Sequence, residues 1–178
     1  MSATETVSQT IPTGTWKVDR AHSTVEFAVK HMGIATIKGR FTDFDATLED
    51  GADPRLMGTI RTGSVHTFDD DRDAHLRSPE FFDADRYPEA RIEATRFDGD
   101  SLLAAVTLRG VTREIPLSVT IAGPAQDPFG KERIGIDLQG KLDRSEFGVD
   151  WNAPLPEGGF LVDDTVRLFA SLSFIKEA

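Results

Sequence analysis

The chain has no cysteine among its 178 residues, which excludes disulfides, thiolate chemistry and cysteine-bound metals. Tyrosine and tryptophan are scarce, one and two, against twelve phenylalanines. Phenylalanine brings apolar bulk without a polar handle, which suits a greasy lining better than a platform for sugars or bases. Positive charge is also short: twenty Lys and Arg face thirty Asp and Glu, a formal net charge of -10. Nucleic acids and anionic membrane surfaces are recognised through a positive footprint, so both are disfavoured as partners. No stretch approaches the roughly 20 apolar residues that cross a bilayer, so no transmembrane segment is expected. Residues 1–13 lack the basic start and apolar run of a secretory signal. They read as a disordered tail, residues 14–178 as a single domain, and the protein as cytoplasmic.

What the chain does have is alternation. In Thr24-Val25-Glu26-Phe27-Ala28-Val29-Lys30-His31 the residues Val25, Phe27, Val29 and His31 share one side of an extended strand, and Thr24, Glu26 and Lys30 share the other. Successive side chains of a strand point to opposite faces, so this is a half-buried strand with one wet face. Its inward row ends in a histidine. A polar kink at Arg20–His22 separates this strand from Thr15–Asp19. Over Ile34–Leu48 the phase of Ile37, Gly39 and Phe41 is opposite to that of Phe44, Ala46 and Leu48, which predicts a bulge in one long strand. Glu49–Pro54 has turn chemistry, and Leu56–Val65 is the next strand. After residue 90 the chain is strands and tight turns up to Val166–Phe174. The segment Asp69–Asp83 breaks the pattern. Its acidic start favours a helix N-terminus, and Pro79 limits the length. With roughly eight strands, one helical insertion and no βα repeat, the predicted fold is all-β: an eight-stranded antiparallel barrel.

Four ordered segments make this more specific. They are Asp19–His31, Arg72–Asp83 with Tyr87-Pro88, Leu108–Thr112, and Arg144–Val149 with Trp151-Asn152. Together they resemble the YceI-like family, the lipocalin-like polyisoprenoid-binding proteins, over about Gly14–Phe174. The resemblance implies a lipocalin-like barrel that holds a long isoprenoid, isoprenoid quinone or similar lipid in its lumen. It also suggests a homodimer, and no cofactor is expected. The missing export signal departs from many relatives. On this view Val25, Phe27, Val29, Phe41, Phe44, Ile60, Val106, Leu117, Val119, Ile136, Leu168 and Leu172 line the cavity, and Phe81 with Phe82 anchors the insertion over one end. A filled core is the alternative for the same residues, since small barrels often close their lumen with side chains.

The polar candidates divide similarly. His31, Arg72, His75 and Arg77 all lie in the matching segments. They either hold the polar end of a lipid, arginine being suited to phosphate or carboxylate, or tie the helix to the first strands, with Asp73 and Arg77 paired at helical spacing. Asp19, His22 and Ser23 invite a catalytic triad. However, His22 and Ser23 are neighbours that point apart in a strand, and no Gly-x-Ser-x-Gly elbow exists. Asp19 and Ser23 are better used on backbone groups at the kink. His22, His31, His66 and His75 lack close metal-motif spacing, so a metal-assisted enzyme acting on a lipid or quinone is the second reading.

Overall fold

A computed structural model describes residues 11–50 and 54–178. The tail expected over residues 1–13 lies outside the described residues as far as residue 10. Its last part belongs to the fold: Ile11 packs on the core, and the indole N–H of Trp16 donates to the Pro12 carbonyl at 3.1 Å. Part of the Glu49–Pro54 turn, residues 51–53, is also outside the described residues.

The strands are β1 (Thr15–Val18), β2 (Thr24–His31), β3 (Ala35–Phe41), β4 (Phe44–Glu49), β5 (Arg55–Arg61), β6 (Val65–His66), β7 (Glu89–Asp98), β8 (Ser101–Leu108), β9 (Val111–Gln126), β10 (Glu132–Asp143) and β11 (Val162–Lys176). The helix α1 spans Asp70–Arg77. All pairings are antiparallel, in the order β1-β4-β5-β7-β8-β9-β10-β11, and β1 pairs back onto β11 to close a ring of eight. β2, β3 and β6 prolong β1, β4 and β5 beyond local breaks, and β2 takes over the pairing with β11 through Val29↔Val166 and Phe27↔Leu168. Eleven assigned strands are therefore eight walls, three of them bent.

The bends replace two expectations. The phase change within 34–48 is a strand break at Thr42-Asp43, not a bulge, and the strand read over Leu56–Val65 stops at Arg61 for a 3-10 turn over Thr62–Ser64. In both places backbone groups leave the ladder and find other partners. The Thr42 N–H donates to the Ser64 carbonyl at 3.3 Å, the Asp43 N–H to Ser64 Oγ at 3.1 Å, and the Arg61 N–H to the Asp43 carbonyl at 2.9 Å. Arg20 joins them through Asp43 at 2.7 Å. The three bends thus form a belt around one side of the barrel.

The inward residues nearest β1 fill the lumen. Trp16, Leu48, Leu56, Ala94, Ile134, Ile136 and Phe174 are fully or almost fully buried and pack as one core. At the opposite end the insertion between β6 and β7 covers the opening. Asp69 caps α1 by accepting from the Arg72 N–H at 2.8 Å, and the helix stops at Arg77, just before Ser78-Pro79. The β8–β9 turn, with Arg109 and Gly110 at positive φ, clamps this cover. Arg109 donates to the carbonyls of Phe81 at 3.0 Å and Gly148 at 3.2 Å.

A candidate binding cavity

Between the filled end and the insertion the barrel encloses a cavity of about 350 Å³. β2 contributes Val25, Phe27, Val29 and His31, which shows that the alternation places this row inward. β3 contributes Ile37 and Phe41. Between them Gly39 lies under the Phe27 ring, where a Cβ would come within 2.3 Å of Phe27 Cζ. Only glycine lets that ring lie flat along the wall. Ile60, Ala90, Ile92, Val106 and Leu108 continue around the barrel, followed by Leu117, Leu138, Leu142, Val166, Leu168 and Ala170.

Aromatic rings and α1 form the roof. Phe41 stands between Phe27 and Phe82, each at 5.6 Å between centroids, and Leu76 faces the cavity from α1. Across the roof the His75 ring meets Phe81 at 4.9 Å and Trp151 at 4.7 Å, both edge-on.

Of the residues expected to line a lumen or close its mouth, Val25, Phe27, Val29, His31, Phe41, Ile60, Arg72, His75, Phe81, Val106, Leu117 and Leu168 surround this one cavity. Phe44, Val119, Ile136 and Leu172 do not line it and are buried in the packed core. Alternation told their face correctly. It carries no information on depth, and these positions lie where facing side chains already meet. Ile37, Leu76, Phe82, Trp151, Leu161 and Val162 line the cavity without having been singled out for it. The inward phase of Ile37 was readable. The loop after β10 gave no periodicity from which to place Trp151 or Leu161.

The polar set gathers at the roof and is partly committed. Arg72 donates from Nε to Thr67 Oγ1 at 2.8 Å and from Nη2 to the Thr67 carbonyl at 2.7 Å. It makes no ion pair among the described residues. Asp73 is buried and accepts from the Thr67 N–H at 2.8 Å and from the Thr67 hydroxyl, with His66 Nδ1 at 3.4 Å. The expected Asp73–Arg77 pair is therefore replaced by Asp73 with Thr67 and His66. Burial pushes the Asp73 carboxyl up, but the two bonds from Thr67, aided by the charges of His66 and Arg77, hold it below the usual carboxylate range. His75 bonds Glu80 and remains about two-fifths exposed.

Arg144 also faces the cavity; its guanidinium lies 3.5 Å from the Asp164 carboxylate and is otherwise spent on backbone. It donates to the carbonyls of Asp163 at 2.9 Å, Val149 at 2.8 Å, Trp151 at 2.9 Å and Val162 at 3.3 Å. Asn152 holds both the N–H and the carbonyl of Val162, at 2.9 and 2.6 Å. The Arg144…Trp151-Asn152 motif thus fastens the loop that carries Trp151 onto the start of β11.

Asp19, His22 and Ser23 do not form a triad. His22 Nδ1 lies 2.7 Å from Asp19, but Ser23 Oγ donates to the Asp19 carbonyl at 2.7 Å and accepts the Ser173 N–H at 2.9 Å. His22 pairs with Asp19 and His66 with Asp73, while His31 and His75 share the cavity, and among the described residues no three metal-binding side chains converge.

A YceI-like domain model matches residues 16–174, and these include every element of the barrel from Trp16 to Phe174. The chain belongs to the YceI-like family. A UPF0312 protein of Staphylococcus aureus (strain bovine RF122 / ET3-1) is 31% identical over 161 residues, covering 88% of this chain and 94% of that protein. A Campylobacter jejuni YCEI protein superimposes with a TM-score of 0.68 at 29% identity, over 84% of this chain and 90% of that one. A polyisoprenoid binding domain from Saccharophagus degradans, implicated in plant cell wall breakdown, has the same fold, with a TM-score of 0.68 over 91% of this chain and 98% of that one, at 15% identity. Among the described residues of this YceI-like chain no helix is long and apolar enough to cross a membrane.

Proposed function

We propose that this YceI-like protein binds a long-chain hydrophobic molecule, a polyisoprenoid, isoprenoid quinone or similar lipid, and sequesters or carries it without chemical change. The observation that carries this reading is the roofed cavity of about 350 Å³ with an almost wholly apolar lining. A close-packed protein leaves few voids larger than a water molecule, so a space of this size inside a barrel is a site rather than a packing fault. The driving force is removal of apolar ligand surface from water, on the order of 25 cal/mol per Å² before ordering costs.

The structural neighbour from Saccharophagus degradans, a polyisoprenoid binding domain, supports the ligand class. The polar end of the ligand belongs at the roof, beside His31, Arg72 and His75, where Arg72 makes no ion pair among the described residues. A cytoplasmic carrier of one barrel domain, alone or as a homodimer, fits this reading. Extraction and mass spectrometry of natively purified protein should yield a prenyl or other long-chain lipid in near-stoichiometric amount. Protein that purifies empty and takes up no lipid on incubation would end the proposal.

A further inference from the structure

The cavity is closed at a definite depth, and the residues that close it are identifiable. Leu138 and Ala170 face each other across β10 and β11 and line the cavity. One inward position towards the closed end, Ile136 and Leu172 face each other in the same way and are buried, with Ile136 fully inaccessible. Beneath them lie Ile134 and Phe174, equally closed. The boundary between open and filled lumen therefore passes between two successive layers of one strand pair.

We infer that the Ile136–Leu172 layer is a floor that limits how much of a prenyl chain the protein can enclose, to about two to three isoprene units. This rests on the binding function proposed above. An apolar cavity of about 150 Å³ holds one benzene ring, so this cavity takes on the order of a dozen carbon atoms. Chain beyond that length must leave through the roof beside Trp151 and gain little from the barrel. Affinity for prenyl alcohols should thus rise steeply with length and then stop rising.

The test is a titration of geraniol, farnesol, geranylgeraniol and a longer polyprenol, followed by the fluorescence of Trp151 at the cavity wall and by native mass spectrometry for stoichiometry. From geraniol to farnesol the affinity should increase about tenfold or more as another unit is enclosed. Beyond farnesol it should change by less than about threefold. Leu172→Ala opens the floor by at most on the order of 150 Å³, room for about one more isoprene unit, and should move the break to a longer chain. Ala170→Leu fills the space above the floor and should move it to a shorter one. This second variant adds bulk to an existing void, so it keeps the test alive if Leu172→Ala fails to fold. Affinity that climbs without a break through the longest chain, or a break that stays put in the folded variants, overturns the floor while leaving the binding function intact. Failure of every prenyl alcohol to bind overturns both.

Discussion

At the closed end of the barrel Trp16, Leu48, Ile134 and Phe174 are inaccessible and interlock, whereas on the same or paired walls near the roof Val29, Val166 and Leu168 are only half-buried around open space. Both regions show the same alternation of apolar and polar residues. What differs is how the ring closes. At the closed end β1 bridges β4 and β11, every wall is hydrogen-bonded to two neighbours, and bulky side chains meet across the lumen. At the roof end β6 has β3 as its ladder partner, and the ring is completed by the insertion and the loop after β10. Packing is concentrated at one end and open space at the other.

Substitutions should separate the two most strongly in the packed layer. Phe174→Ala is expected to cost about 3–5 kcal/mol in urea unfolding, because a buried aromatic leaves a cavity that rigid neighbours cannot fill. Leu168→Ala enlarges a space that already exists and should cost about 1 kcal/mol. Equal losses would mean that the two ends are not energetically distinct. A reversed sensitivity is expected for ligand retention: Phe27→Asp should abolish it, since an unpaired carboxylate in an apolar cavity is costly, while Glu26→Gln on the outer face should retain lipid. Similar behaviour of these two variants in lipid extraction would contradict the inward phase of β2.

A smaller effect tests the roof. Arg72→Ala should weaken a prenyl phosphate by about 1.5–3 kcal/mol more than the matching prenyl alcohol, the worth of a charge-assisted hydrogen bond. Equal weakening would confine Arg72 to its bonds with Thr67. The least effect is expected from acid. Arg133 donates to Asp19 at 2.8 Å and to Asp127 at 2.9 Å, and with His22 it holds the Asp19 carboxyl below its usual range. Lowered carboxyls such as Asp19 and Asp73 stabilise the fold above their unfolded value near about 4 and cease to do so as pH falls through their lower folded values. Thermal stability should therefore be level between neutral pH and about 5 and decline below about 4. Asp19→Asn should flatten part of that decline. An unchanged acid limb in this variant would show that the Asp19–Arg133 pair contributes nothing.

Much of the barrel was legible because a strand writes its faces into the sequence. The inward rows of β2, β8, β10 and β11 follow from period two, and the opposite phases of Phe41 and Phe44 located the irregularity between β3 and β4 but not its nature, a strand break rather than a bulge. The family motifs located the roof. Depth was not legible. Ile136 and Leu138 are equivalent in pattern, yet one is packed core and the other cavity wall, because that outcome depends on which strands lie opposite. Long-range polar pairings were equally hidden. Nothing local to Asn152 announces that it binds both backbone groups of Val162, and Asp73 meets Thr67 rather than Arg77 because the chain before α1 folds back onto its first turn.

The belt of bends at residues 19–23, 42–43 and 62–64 has a dynamic consequence. Ladder hydrogen bonds along these three walls stop there and a few loop contacts and the exposed Arg20–Asp43 pair take over, so β3 and β6 reach the packed end along their own walls only through these breaks, while β2 keeps its ladder to β11. Opening free energies differ across a protein and follow such seams. In amide hydrogen exchange the backbone from Thr24 to Phe41 should exchange together with α1 as one early cooperative unit, while the strand segments around Trp16, Leu48 and Phe174 stay protected until the whole molecule unfolds. An apolar cargo could then enter or leave by a partial opening of that unit, with the packed end still folded beneath it.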